Sequence, residues 1–404
     1  MKAQLLSILL LVSITIVLSC SDNNPDGFIP EEKDILDQFL NLPENDFDYS
    51  IQLPEHVRHL IPAGPGSEHD PTRDKIATLG RVLFYDTRLS TNEKVSCATC
   101  HDQKKGFADN MVLSEGFNGE VGHRNSIALA TTVGFEASYG GGDPGVDPDF
   151  GGIPNIVQFS WDDMVPDIAE QSRLAIESEV EMGMKMSDVV ERLKREQFYG
   201  ILFKNAFGTL EVTEENTLAA LQVFINTIAS VDTKFDNAMD DAGLPDPFID
   251  FPGFSNQENL GKQLFNENCT TCHSFNHATT FISIANNGLD LIYEDNGKGA
   301  KTGLEEEMAL FKIPFLRNIA LTAPYMHDGR FATLEEVIDH YSSGIKDHPN
   351  LSSELKEFSQ ENPLGTARKF NFSGDEKSAI IAYLHTLTDL TLASEEKYAD
   401  PFIR

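Results

Sequence analysis

Two short runs constrain this chain more than anything else in it: Cys97-Ala98-Thr99-Cys100-His101 and Cys269-Thr270-Thr271-Cys272-His273. Each is a Cys-x-x-Cys-His run, the attachment signature for a c-type haem. The spacing follows from the chemistry. Two thiols must reach the two vinyl groups of one porphyrin, and the adjacent His must meet the iron from the same side as its proximal ligand. One run alone could be a zinc half-site. Two runs, using four of the five cysteines, point to two covalent haems and leave no disulfide framework to assign.

The fifth cysteine belongs to the N-terminus. Lys2 is followed by an apolar run from Leu5 to Leu18 and then Ser19-Cys20, the pattern of a cleaved targeting segment. Val17-Leu18-Ser19-Cys20 resembles a bacterial lipobox, implying cleavage before Cys20 and lipid on its thiol; the plainer alternative is a signal peptide that happens to contain Cys. Both place the mature chain on the periplasm side, where bacteria attach c-type haem. The lipid would be its only hold on a membrane. The net charge of -33 excludes nucleic acid and anionic membrane surfaces as partners. Its ordinary reading is a well-solvated surface; docking to a basic redox partner is the second.

Chain length allows two or three domains. Residues 21–65 are polar and Pro-rich, as expected of a tether with a short strap. Asp74 to Asp86 carries Ile76, Leu79, Val82 and Leu83 at helical spacing and leads into the first haem run; Asn256 to Asn266 carries Leu260, Leu264 and Phe265 and leads into the second. This helix-then-haem repeat implies two related domains. Between them, Glu181 to Phe207 reads as one helical region and Glu214 to Phe235 as another, with a linker from Asp240 to Gly253. Thr333-Leu334-Glu335-Glu336 and Ser373-Gly374-Asp375-Glu376 are capping boxes, the first opening a helix through Tyr341. Strand signals are few, so the expected fold is mainly α.

From Leu79 to Leu387 the chain resembles the bacterial dihaem cytochrome c peroxidases and their MauG-type relatives. The residues that carry the resemblance are Leu79-Gly80-Arg81-Val82-Leu83-Phe84-Tyr85-Asp86, both haem runs and Glu181-Met182-Gly183-Met184. Phe311 to Asn318 and Thr322-Ala323-Pro324-Tyr325-Met326-His327-Asp328-Gly329-Arg330 complete the set. The resemblance implies two cytochrome c-like domains, each with one covalent haem c. The boundaries are a signal peptide at 1–20, a tether and strap at 21–65, a peroxidatic domain at 66–240 and an electron-relay domain at 241–404. It also implies a calcium ion between them, dimerisation, hydrogen peroxide as substrate, and electrons from a small cytochrome c or cupredoxin.

Peroxide cleavage needs an acid–base group over an open iron position. By resemblance Glu181 is that group, Gln171 its companion in the distal pocket, and Trp161, the single Trp, lies between the haems. On sequence chemistry alone these are two polar helix positions and a packing aromatic. Asn125, Thr322 and Pro324 match the calcium ligands, the last two through their carbonyls. His327 reads as a hydrogen-bonding residue near the haem propionates or the interface, His340 as structural, and His56, His59, His69, His277, His348 and His385 as surface or satisfied ones.

Two departures from the peroxidase pattern matter. The position where typical members place a Met ligand of the second haem is Tyr341, as in MauG-type enzymes; Met326 and Met308 are rivals. Phe117 stands where many peroxidases close the first iron with a distal His, and His123 is close but offset. The function expected is peroxide reduction. The alternatives are a MauG-type oxidation of a partner protein's residues, or a dihaem electron carrier or sensor without turnover.

Overall fold

The computed structural model describes residues 30–58, 68–130, 158–242, 248–275, 277 and 282–404. The signal segment with Cys20, the first part of the strap, His59 and the centre of the expected linker lie outside them. Among the described residues the regular structure is mainly helical, and the strands form two two-stranded antiparallel pairs. None of these helices is long and apolar enough to cross a membrane.

Four helices form two crossings that organise the chain. The first crossing pairs Pro71–Tyr85 with Glu214–Thr227. The helix begins earlier than its apolar periodicity suggests, because Asp70 accepts from the Thr72 amide at 2.9 Å and Pro71 occupies the first turn. The second crossing pairs Asn256–Asn268 with Gly374–His385, both opened by capping boxes at Ser255 and Ser373. Glycine brings each pair into backbone contact: a Cβ on Gly80 would lie 2.0 Å from the Ala220 carbonyl, and one on Gly261 would lie 1.8 Å from that of Ala379. The repeat visible in sequence is therefore larger than a helix and a haem run. Each half also carries a C-terminal partner helix.

Two apolar cores sit on these crossings. The first gathers Phe84, Leu193, Phe203, Leu221 and Phe224; the second gathers Phe235, Phe265, Ile380, Tyr383 and Leu384. Each such side chain, fully buried, contributes about 1.5–3 kcal/mol. Two stretches extend across the expected domain order, and the strap joins the first core. Leu36, Leu40 and Tyr49 of the strap enter the first core, and so do Leu392 and Tyr398 from the C-terminal tail. The Lys234–Asp241 helix, N-terminal to the expected cut, buries Phe235, Ala238 and Met239 in the second core.

Three helical expectations need correction. Glu181 to Phe207 is not continuous: Gly183 turns at φ 67°, and helices follow at Met186–Leu193 and Gln197–Phe207. Glu214 to Phe235 breaks at Thr227, and Thr233 opens a new helix with a reciprocal cap to Asp236. The helix that the Thr333 box opens ends at Asp339, and Tyr341 lies on a wider π-helical turn, His340–Gly344.

Candidate active site

The first haem run forms a short helix, Cys97–Cys100, whose entry is fixed by the Ser96 amide donating to Thr99 Oγ1 at 3.0 Å. His101 Nδ1 lies 3.1 Å from the Phe107 carbonyl. That contact holds the proton on Nδ1 and leaves the Nε2 lone pair free, the arrangement of a metal-ligating imidazole. Burial lowers the His101 pKa, which keeps it neutral. Burial also pushes the Cys97 and Cys100 thiols up to about 12 and about 11.

Glu181 stands on the loop between Glu177 and Met186, close enough for its charge to be felt at both thiols. The residue is exposed at the surface, yet the protein packed about its carboxyl partly dehydrates it. That dehydration pushes it up to about 6, against a hydrogen bond with Ser178 that lowers it. The loop is tied down on every side. The Phe117 amide donates to the Glu181 carbonyl, and the Thr91 amide to that of Met182, both at 2.9 Å. The Gly183 amide donates to Ser178 at 2.8 Å. Gly116 packs so closely that a Cβ there would lie 1.6 Å from the Val180 carbonyl. Gln171, on the helix Ile168–Glu177, has a buried Oε1 with no hydrogen-bond partner among the described residues. Phe117 packs its ring on Gly183, and His123 is exposed.

The second run borders a cavity of about 300 Å³ lined by Cys269, Cys272, His273, Met326 and Tyr341, among others. His273 repeats the geometry of His101: Nδ1 lies 3.2 Å from the Pro314 carbonyl, and burial lowers its pKa to about 4. Burial pushes Cys269 and Cys272 up to about 12 and about 11. Burial also raises the Tyr341 phenol, against a hydrogen bond with Asn287. Asn287 Nδ2 also donates to Met326 Sδ at 3.4 Å. Met308 is not among the lining residues and lies instead against Gly299.

Residues 125–128 connect the two runs. Ser126 Oγ donates to the Cys100 carbonyl at 2.9 Å, and Asn125 to Ala128 line the second cavity. Trp161 lines the same cavity and donates from Nε1 to the Asn125 carbonyl at 2.7 Å. Thr322 and Pro324 line it too. Asn125 spends its side-chain amide on the carbonyls of Met111 and Val112, leaving Oδ1 as its acceptor. His327 is buried with its ring stacked 3.7 Å from that of Phe311, and its carbonyl accepts from the Asn125 amide at 2.7 Å. Sequence reasoning missed Ser126, Ser178 and Asn287. It also missed Arg124, which joins Asp162 at 3.0 Å to Asp295 at 2.7 Å. Only the adjacency of Arg124 and Ser126 to Asn125 hinted at them.

The family model described as di-haem cytochrome c peroxidase matches residues 74–243. The methylamine utilization protein MauG of Methylorubrum extorquens is 32% identical over 80% of this chain and 81% of its own. The cytochrome c551 peroxidase of Nitrosomonas europaea is 30% identical over 81% of this chain and 84% of its own. The chain belongs to the dihaem cytochrome c peroxidase and MauG family. It is a peroxidase oxidoreductase. A crystal structure of a MauG-like protein associated with microbial copper homeostasis matches with a TM-score of 0.64 and 26% identity, over 88% of this chain and 98% of that one.

Family membership implies two haem c groups, and the residues fit them. All four thiols are free of disulfides. Both histidines keep Nε2 available by committing Nδ1 to a backbone carbonyl. The second run opens on a cavity, and the first faces a carboxyl raised toward neutrality and a companion amide with an unspent acceptor.

Proposed function

We propose that this family member reduces hydrogen peroxide at the first centre with electrons delivered through the second. The observation that carries the reading is Glu181: a partly dehydrated carboxyl, raised to about 6 and held beside Cys97 and Cys100. The covalent haems supply the redox chemistry when bound. Glu181 does the proton work. As carboxylate it takes a proton from one peroxide oxygen and returns it to the other as that oxygen leaves as water. The overall balance is one peroxide, two protons and two electrons to two waters. Gln171 contributes an acceptor that no described residue uses. A mere electron carrier would need neither group.

On this reading Cys97, Cys100 and His101 hold the peroxidatic haem, and Cys269, Cys272 and His273 the relay haem. Trp161 passes electrons between them, and Tyr341 is the sixth ligand of the relay iron. Asn125, Thr322 and Pro324 hold calcium, a role for which Asn125 keeps its Oδ1 as an acceptor while its amide nitrogen is committed to backbone carbonyls. The first iron is open at rest, which the exposed His123 and the packed Phe117 support. The mature protein is exported and lipid-anchored at Cys20. The charge of -33 suits a basic cytochrome or cupredoxin as donor.

A second reading keeps this site but lets it oxidise residues of a partner protein. Tyr341 in the second cavity and the 32% identity to MauG favour it. Electron paramagnetic resonance of the oxidised protein, before and after peroxide, tests both. A high-spin signal beside a low-spin one is expected, with both bleached by peroxide if the oxidising equivalents spread over two irons. Two low-spin signals unmoved by peroxide would overturn the open first centre.

A further inference from the structure

Tyr383 and His277 form a buried pair behind the second cavity that the peroxidase reading leaves without a role. The phenol oxygen lies 2.6 Å from His277 Nε2. Tyr383 is 0% exposed and His277 1%. Rings of Phe235, Phe254 and Phe265 enclose them. Burial keeps the phenol protonated and the imidazole neutral. The O–H therefore donates to Nε2, and the imidazole proton sits on Nδ1. Nδ1 has no partner among the described residues.

The internal repeat supplies a control. Gly80 and Ala220 touch at the first crossing as Gly261 and Ala379 do at the second. One turn further on, the first crossing pairs Phe84 with Phe224 at 5.4 Å between ring centroids, and the second pairs Phe265 with Tyr383 at 5.3 Å. A phenyl ring thus suffices for the packing. The second half adds a hydroxyl, a histidine to receive it and an Nδ1 with no partner among the described residues, a polar arrangement that costs desolvation and that packing does not require. The pair also stands one side-chain layer from the cavity: Phe265, Ile380 and Leu384, which share a core with Tyr383, line it.

We infer that Tyr383 and His277 are a proton-coupled electron relay that stores one oxidising equivalent beside the second haem. The inference rests on the dihaem peroxidase reading. Tyr383 gives one electron to an oxidising equivalent drawn from peroxide and held at the second haem. Its O–H bond breaks, and the proton bonds to the Nε2 lone pair of His277. A neutral phenoxyl radical and an imidazolium result. An electron from the redox donor, with return of the proton, restores the pair. The proton never leaves it, so a buried site needs no exit to water. Asp236 favours the transient cation, while Arg317, His56 and His273 oppose it.

The test is freeze-quench electron paramagnetic resonance of the holoenzyme after one equivalent of peroxide without donor. Peroxide consumption is recorded in parallel. Wild type is expected to give a radical signal that changes shape when tyrosine is ring-deuterated. Tyr383→Phe is expected to lose it while keeping both haems and peroxide consumption, since Phe224 packs a phenyl ring at the corresponding position of the first crossing. His277→Gln, which can accept the hydrogen bond but not the proton, is expected to lose it too. Turnover without a tyrosyl radical, or a radical that survives Tyr383→Phe, overturns the relay; one undiminished in His277→Gln overturns the part given to His277. Absence of peroxide consumption by wild type overturns the peroxidase reading itself, and the relay with it.

Discussion

The backbone amide of Phe117 donates to the carbonyl of Glu181 at 2.9 Å, so the segment proposed to stand in place of a distal ligand also positions the proposed acid–base group. The two loops interlock. Gly116 leaves no room for a Cβ beneath the Val180 carbonyl, and Gly183 none beneath the Phe117 ring. Access to the first centre and placement of its carboxyl are thus one structural problem.

Gly116→Ala tests that coupling. Its Cβ would lie 1.6 Å from the Val180 carbonyl, so the Glu181 loop must move. Misplacement of a catalytic group by about 1 Å costs on the order of 10²-fold in rate. Peroxide turnover should fall by that order while the haem absorbance per protein is unchanged. An unaltered rate would show that Glu181 tolerates displacement.

Glu181 should set the acid limb of the pH profile. Its pKa is raised to about 6, and the form that takes the first proton is the carboxylate. Activity is therefore full above that value and lost as pH falls through it. Glu181→Gln should lower turnover by roughly 10²–10⁴-fold and abolish this limb. A limb at the same pH in the variant would assign it to another group.

Legibility in the sequence followed the range of the physics involved. Cys97 to His101 and Cys269 to His273 were readable because haem attachment is a contiguous pattern. The capping boxes at Thr333 and Ser373 are equally local, and both form. The break between Thr227 and Lys234 was not legible from apolar spacing. Its stabilising partner, Arg317, is distant in sequence and reaches Asp236 at 2.7 Å. The same holds for Tyr383 and His277, whose pairing depends on a helix crossing. Glu181 was singled out only through resemblance, because the segments that fix its loop, at Thr91 and Phe117, are distant in sequence.

Asp236 and Arg317 predict a stability effect. The pair is buried, with bonds of 2.7 and 2.8 Å, and His56 Nε2 approaches the same carboxylate at 3.2 Å. Burial alone would raise the Asp236 pKa. The Arg317 charge and the hydrogen bonds from His56, Arg317 and Thr233 overcome it and hold it well below the carboxylate range. Asp236→Asn leaves Arg317 buried and unpaired, a change that costs ~3–5 kcal/mol. Denaturant unfolding should show that loss at neutral pH. Because the folded pKa is the lower one, the pair's contribution is complete above the ordinary carboxylate value of about 4. It fades as pH falls from there toward the folded value. A wild-type minus variant difference that instead grew on acidification would refute this account.

Tyr341→Met tests the second centre. Tyr341 and Met326 both line the cavity beside His273, and Asn287 is hydrogen-bonded to each. The two candidates predict opposite outcomes. If the phenol oxygen of Tyr341 is the sixth ligand, it stabilises ferric iron, and a thioether in its place should raise the potential. Axial ligation commands a span of ~0.8 V, so a rise on the order of 10² mV is expected at this haem alone. If Met326 is the ligand, Tyr341→Met should leave the potential near its starting value, and Met326→Leu should lower it. Spectroelectrochemical titration of both variants resolves the two haems and decides which side chain meets the iron. A potential unmoved in both variants would remove both residues from the coordination sphere.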